Sequence, residues 1–219
     1  MKAAAGDDKA LVDRLADAEP LGPSFYRRDA VRVARALLGK VLVTRLADGG
    51  RLLAGTIVET EAYLGAADPA SHAYRGETDR NRVMFLEGGH CYVYLSYGMH
   101  YCMNVVTGRA GVAEAVLLRG VEPLVNVQLM ATLRGLPPNP SPARLRSISN
   151  GPGKLTQALG IGPRQNGWTF DRPDFKLVDL GARITSARIG TSARIGISKA
   201  VDEPLRFFLI GSPYVGKGP

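Results

Sequence analysis

Cysteine is nearly absent from this chain. Cys91 and Cys102 are the two present, with no Cys-x-x-Cys pair. That pattern excludes a disulfide scaffold and leaves both as buried thiols of a reducing compartment. Histidine is almost as scarce: His72, His90 and His100 are the three. Together with the cysteines they show no zinc-ligand spacing, so no metal is expected. No apolar run reaches the roughly 20 residues that cross a bilayer. The amino-terminal stretch lacks an apolar signal core, because Asp7, Asp8, Asp13 and Asp17 interrupt it. These absences predict a protein with no membrane association, cytoplasmic (at the nucleoid in a bacterium) or nuclear in a eukaryote. Nucleotide motifs are missing too. No Gly-x-Gly-x-x-Gly follows a strand, and Leu155 stands after Gly151-Pro152-Gly153-Lys154 where a phosphate loop needs Ser or Thr. No cofactor is expected.

Acid is in deficit. Lys plus Arg number 28 against 20 Asp plus Glu, a formal charge of +8, which favours an anionic partner, nucleic acid first. Hydrophobic residues make up 45 % and charged ones 22 %, enough for a packed core and against wholesale disorder. A chain of 219 residues suits one domain, read as 21–219 behind a tail, 1–20, where Ala10, Leu11, Arg14, Leu15 and Ala18 allow a short helix.

Asp29 is placed to cap a helix from Ala30 to Leu38 that Gly39 ends, and Ser24 to cap a short turn before it. Lys40–Leu46, Leu52–Tyr63, Cys91–Ser96, Tyr101–Val106 and Ala113–Arg119 read as strands, the first two joined by a tight turn at Asp48-Gly49-Gly50. Pro123 is expected to open a helix running to Leu133. After a Pro-rich loop, Gly151-Pro152-Gly153-Lys154 leads into a short helix, Leu155–Leu159. Phe175–Val178, Ala182–Ile184 and Leu205–Ile210 suggest closing strands. The hexapeptide Thr185–Gly190 is repeated as Thr191–Gly196; six residues are too few for a solenoid repeat, so it reads as a duplication in a surface loop or hairpin. The expected architecture is α+β: a single domain with a curved antiparallel β-sheet flanked by helices and a protruding β-hairpin.

Candidate chemistry starts at Glu61. In a strand Ile57, Glu59, Glu61 and Tyr63 share one face, so an acid and a ring would meet water or a substrate. Residues 92–101 hold four tyrosines. A three-residue loop Gly98-Met99-His100 would oppose Tyr97 to Tyr101 and Tyr94 to Asn104, with Tyr97 and Met99 at an exposed tip. Aromatic residues are common in strands, but a tip of this kind on a basic protein also has the shape of a nucleic-acid wedge. His72 lies in the long polar connection from Gly65 to Gly89, a length that commonly carries function. Arg119, after a buried strand, has a carboxylate as its ordinary partner. The glycines of Gly151-Pro152-Gly153-Lys154 could offer N–H groups to a phosphate.

These residues resemble the alkyladenine (3-methyladenine) DNA glycosylases that are not built on a helix–hairpin–helix. The matching stretches are VETEAYLG with His72 beyond it, RNRVMF at Arg80–Phe85, YVYLSYGMHYCMNV, VLLRGVEPL, NGPGKLTQALGI and PLRFFLIGSP. They run in order from about Leu21 to Pro213, and the short chain is more like a bacterial member. The resemblance implies that Glu61 activates water and Arg119 helps hold it. It implies that Tyr63, His72, Tyr94 and Asn104 line the pocket of a flipped base. Tyr97, with Met99, would intercalate, and Arg80, Arg82, Gly153 and Lys154 would meet the DNA backbone. The implied partner is double-stranded DNA containing damaged purines, bound by a monomer with no obligate protein partner. This chain departs from the pattern in a longer loop at Thr107–Gly111 and in His100 beside the tip, and the hexapeptide duplication has no implied role. A non-catalytic nucleic-acid-binding module and a glycosidase acting on free nucleosides or sugars remain the competing readings.

Overall fold

A computed structural model describes residues 5–216. The first helix, α1 (Ala5–Asp17), precedes a single turn, α2 (Pro23–Tyr26), and α3 (Ala30–Leu37). Asp29 caps α3 by accepting the Arg32 N–H. At α2 Gly22 holds the cap position with Pro23 in the first turn, so Ser24 lies inside the turn it was expected to cap. The strands are β1 (Val41–Thr44), β2 (Leu53–Tyr63), β3 (Cys91–Ser96), β4 (His100–Thr107) and β5 (Glu114–Val125), then β6 (Asp171–Arg172), β7 (Phe175–Val178), β8 (Ile189–Ser192) and β9 (Arg206–Leu209). Helices α4 (Val127–Leu133), α5 (Pro142–Arg146) and α6 (Pro152–Ala158) lie between β5 and β6.

The strands form one antiparallel sheet in the order β3-β4-β5-β2-β1-β7-β6. Strand β2 changes neighbours along its length. Its first part, Leu53–Thr56, pairs with β1; its later part, Glu59–Glu61, pairs with β9; β5 runs along the other edge throughout. Helices α3, α4 and α6 close one face over a core that includes Leu37, Ile57, Val58, Leu118, Met130 and Leu155. Thr60, on that face, donates its hydroxyl to the Ala34 carbonyl of α3.

Three expectations from sequence need correction here. Pro123 lies inside β5, not at a helix start; it sits opposite Gly55, where the β2–β5 register is already broken by a bulge, a place where a missing N–H is tolerated. The helix begins after Asn126, whose left-handed φ of 52° ends the strand. Residues 182–184 form no strand. The aromatic hairpin turns one position earlier than expected: Ser96 opposes His100, Tyr94 opposes Cys102 and Tyr92 opposes Asn104. Tyr97 (φ 49°) and Gly98 (φ 68°) take the left-handed conformation of a tight hairpin turn, closed by the Met99 N–H on the Ser96 carbonyl.

Helix α1 packs on the sheet through Leu15, which is fully buried beside Val41, Val43, Ala54 and Val178. The Lys176 ammonium donates to the carbonyls of Ala16, in the last turn, and Ala18, just past it, where a cation suits the helix dipole. Leu15→Ala is expected to cost about 2–4 kcal/mol, transfer free energy plus a cavity, and to release α1 before the sheet unfolds. Urea denaturation with hydrogen exchange on α1 checks this; a loss below about 1 kcal/mol would mean that the helix is not anchored there.

Candidate active site

Alternation along β2 does put Glu59 and Glu61 on one face, since both reach the same arginine. That face is not open to water. Ile57, Glu59 and Glu61 are all 0 % exposed, and the bulge around Ile57–Glu59 lets Ile57 and Val58 both join the apolar core. The expected solvated side is covered by Arg119 from β5, by Arg206 from β9 and by the segment following β8.

The Glu61 carboxylate is held from three directions. Oε1 accepts the Ile195 backbone N–H at 2.7 Å and faces Arg119 Nη1 at 3.2 Å. Oε2 accepts the Tyr63 hydroxyl at 3.0 Å. Burial raises its proton affinity above the ordinary carboxylate value, while Arg119, the Ile195 N–H and the Tyr63 hydroxyl pull the other way. The Tyr63 phenol is driven far up, first by its own burial and then by Glu61, so it stays a donor. Arg119 is shared: its Nε donates to Glu59 Oε1 at 3.0 Å, and Arg206 Nε donates to the same oxygen at 2.7 Å.

In front of this network lies a cavity of about 700 Å³. Tyr63, His72, Arg80, Tyr94, Tyr97, Asn104 and Arg119 all line it, and Glu61 sits directly behind the wall formed by Tyr63, Arg119 and Ile195. Tyr92 also lines it, a residue the sequence reading did not single out. Tyr92 and Tyr94, two apart on β3, stack at 5.5 Å between centroids, and His72 meets Tyr94 edge-on at 4.5 Å. His72 Nδ1 lies 3.0 Å from the Tyr92 hydroxyl. Packing of its ring against the tyrosines, then the nearby Arg80, lower its proton affinity even though the residue stays partly exposed, which favours a neutral ring. Asn104 is fixed by its Nδ2 donating to the Tyr92 carbonyl.

The hairpin tip stands out from the cavity edge, with Tyr97 79 % and Met99 75 % exposed. The Tyr97 hydroxyl reaches the Gly196 carbonyl at 3.4 Å. Of the residues expected at a DNA backbone, exposed Arg80 lines the cavity, as does exposed Lys199. Arg82 is exposed outside the cavity. Gly153 is buried against His100, where a Cβ would come within 2.3 Å of the imidazole, and Lys154 donates to Asn150. Among the described residues no group of three or more His, Cys, Asp or Glu could hold a metal ion.

The duplicated hexapeptide belongs to the site, against the expectation of a surface addition. In the first copy Arg188 is exposed. In the second, Arg194 is buried, pairs with both oxygens of Asp68, donates to the Ala62 carbonyl and stacks 4.6 Å over the Tyr63 ring. The next residue supplies the N–H to Glu61. Arg194 thus ties the start of the His72 loop to the segment that grips the acid. Breaking a buried pair from one side costs about 3–5 kcal/mol, whereas surface changes stay within about 0.5 kcal/mol. Arg194→Gln is therefore expected to destabilise strongly and Arg188→Gln hardly at all, read by denaturant unfolding of the two variants. Equal effects would mean that the two copies are not distinguished.

The fold and this constellation meet the comparisons with known proteins. The model of the methylpurine-DNA glycosylase (MPG) family matches residues 24–213. A protein of Chlorobaculum tepidum named "Putative 3-methyladenine DNA glycosylase" is 45 % identical over 205 residues, 90 % of each chain. One of Methanoculleus marisnigri with the same name is 49 % identical over 199 residues, 90 % of this chain and 98 % of its own. A third, from Carboxydothermus hydrogenoformans, is 46 % identical over 193 residues, 88 % of this chain and 96 % of its own. With a match across most of its length, the chain belongs to the methylpurine-DNA glycosylase family, enzymes that hydrolyse an N-glycosyl bond in DNA.

Proposed function

We propose that this protein removes alkylated or deaminated purines of the 3-methyladenine, 7-methylguanine and hypoxanthine type from duplex DNA, as a monomer and without strand cleavage. The observation that carries the reading is an acid, Glu61, fixed by Arg119, Tyr63 and the Ile195 N–H at the back of a cavity walled by rings. A base within the duplex stack is out of reach, so it is turned out first, at a cost of a few kcal/mol that is smallest for a damaged or mispaired base. Tyr97, at the outermost point of the hairpin with Met99 beside it, fills the vacated space. The extruded base enters between Tyr63, His72, Tyr92 and Tyr94, with Asn104 on its edge. An electron-poor or cationic base gains about 0.5–2 kcal/mol on such ring faces.

The chemistry follows from one carboxylate. The Tyr63 hydroxyl gives up its bond to Oε2, and that oxygen takes a proton from a water as the water oxygen bonds to C1′. The C1′–N bond breaks with its electron pair going to the base, so a cationic lesion leaves as a neutral base. The negative carboxylate also stabilises the positive charge that grows on the sugar, and Arg119 keeps it oriented. Water is the nucleophile, so no covalent enzyme–sugar adduct forms. The cationic rim, Arg80 and Lys199, faces the phosphates, and Arg82 and Lys154 extend that contact, while Gly153, buried under His100, stays off it.

Glu61→Gln is expected to keep affinity for lesion-bearing duplex and to lose excision by on the order of 10²–10⁴-fold, measured by single-turnover base release. Near-wild-type rates would reject Glu61 as the base. In the wild type the ionised form is the active one. Because burial lifts its proton affinity above the ordinary value of 4.5, excision should fall away on acidification at a higher pH than an exposed glutamate would give. A rate that persists undiminished below that value contradicts the assignment.

Tyr97→Asn retains a residue that tolerates the left-handed turn while removing the ring. Flipping, followed with a fluorescent base analogue, should weaken roughly tenfold, since a stacked ring is worth about 1–3 kcal/mol. An unchanged flipping equilibrium would remove Tyr97 from that role.

A further inference from the structure

Glu59 is an acid that the cavity never touches. It is fully buried and three separate parts of the chain converge on it. Arg119 of β5 and Arg206 of β9 both donate to Oε1, at 3.0 and 2.7 Å. The Gly216 N–H donates to Oε2 at 2.6 Å. Arg206 is itself braced by Ser192 Oγ and the Gly216 carbonyl. The carboxy-terminal segment can pass this close because Gly120, opposite Glu59 in the ladder, has no side chain; a Cβ there would stand 2.6 Å from the Tyr214 carbonyl oxygen.

We propose that Glu59 is a positioning residue for base excision, acting through Arg119 on the way Glu61 is held; this rests on the role assigned to Glu61 above. A guanidinium can grip one carboxylate with two parallel bonds. With its Nε taken by Glu59, Arg119 offers Glu61 a single contact through Nη1 at 3.2 Å. That leaves Glu61 oriented without being locked into a bidentate pair that would hold it away from water. Removing Glu59 releases Nε, so the guanidinium is free to turn and present two parallel N–H groups to Glu61. The charged and titratable groups around Glu61 are Glu59 and Tyr63 on its own strand, Arg119 from β5, Tyr94 from β3, Cys102 from β4 and Arg194 from the segment after β8. Glu59 favours the protonated form of Glu61 and Arg119 the ionised form, so losing the first and tightening the second act in the same direction.

The test is the pH dependence of single-turnover base release from a duplex carrying one hypoxanthine or one 7-methylguanine, for wild type, Glu59→Gln and Glu59→Asp. The expected result for Glu59→Gln is a rate lower by on the order of 10–100-fold, an acid limb displaced to lower pH and unchanged affinity for the lesion duplex. Glu59→Asp, which keeps the charge, should restore part of the rate and of the pH profile. Glu59→Gln leaves two arginines facing one acid, so where it fails to fold the charge-balanced Glu59→Gln/Arg206→Gln variant takes its place. A folded variant with the wild-type rate and profile overturns the proposal. So does a slower variant whose acid limb has not moved, and so does the failure of both variants to fold, each of which makes Glu59 a purely structural acid. A wild-type chain inactive on every lesion duplex removes the proposed function itself, and this inference with it.

Discussion

One guanidinium shared between two acids organises this protein. Arg119 bridges Glu59 and Glu61 in the interior of a sheet, where an ion stripped of water and left unpaired would cost several kcal/mol. The charges balance locally: Glu59, Glu61 and Asp68 against Arg119, Arg194 and Arg206, all buried. Each carboxylate also accepts at least one backbone N–H, from Gly216, Ile195, or Leu64 and Ala70. Much of the backbone irregularity near β2 serves this arrangement. The bulge at Ile57–Glu59 opens the ladder beside the acids, β9 replaces β1 as neighbour to deliver Arg206, and Gly120 admits the last described segment of the chain.

The sheet that stores these charges also separates two regimes. Behind β2 lies apolar packing against α3; in front lies the ring-lined cavity. Glu61 sits at the boundary, with no exposed surface of its own and with contacts only to groups that do face the cavity. Buried acids of raised proton affinity are suited to taking a proton at neutral pH. Their position also protects them from idle contact with solvent water when no substrate fills the cavity. Family membership gives the reaction class, and the role proposed for Glu61 fits it.

Much of this was legible in the sequence where side-chain type and spacing carry the information. The Glu61, Tyr63 and Arg119 neighbourhood follows from alternation and from motif order, and the aromatic hairpin from its density of tyrosines. What the sequence hid was decided by tertiary context. Nothing in an aromatic residue announces a left-handed turn at Tyr97, and starting the turn there, with Gly98 also left-handed, moved every cross-strand pair of the hairpin. Pro123 looks like a helix opener until a bulge in the partner strand excuses it. Alternation places Glu59 on a face that would meet water or a substrate, since the coverage that buries it comes from the distant segments of Arg206 and Gly216. Arg194 and Arg188 sit in identical hexapeptides, so no local signal could tell the working copy from its twin.

That identity leaves the fold an alignment problem, which Gly190 and Arg194 solve jointly. Gly190 lies under the Phe208 ring, where a Cβ would come within 2.3 Å. If the strand slid so that the first copy docked in place of the second, Ile184 would have to occupy that spot and push the Phe208 ring aside. If it slid the other way, Gly196 would fit under Phe208, but Ala200 would fall where Arg194 meets Asp68, stranding a buried anion. The two copies thus differ in what each must meet, an aromatic ring at Gly190 and a buried anion at Arg194, set four residues apart.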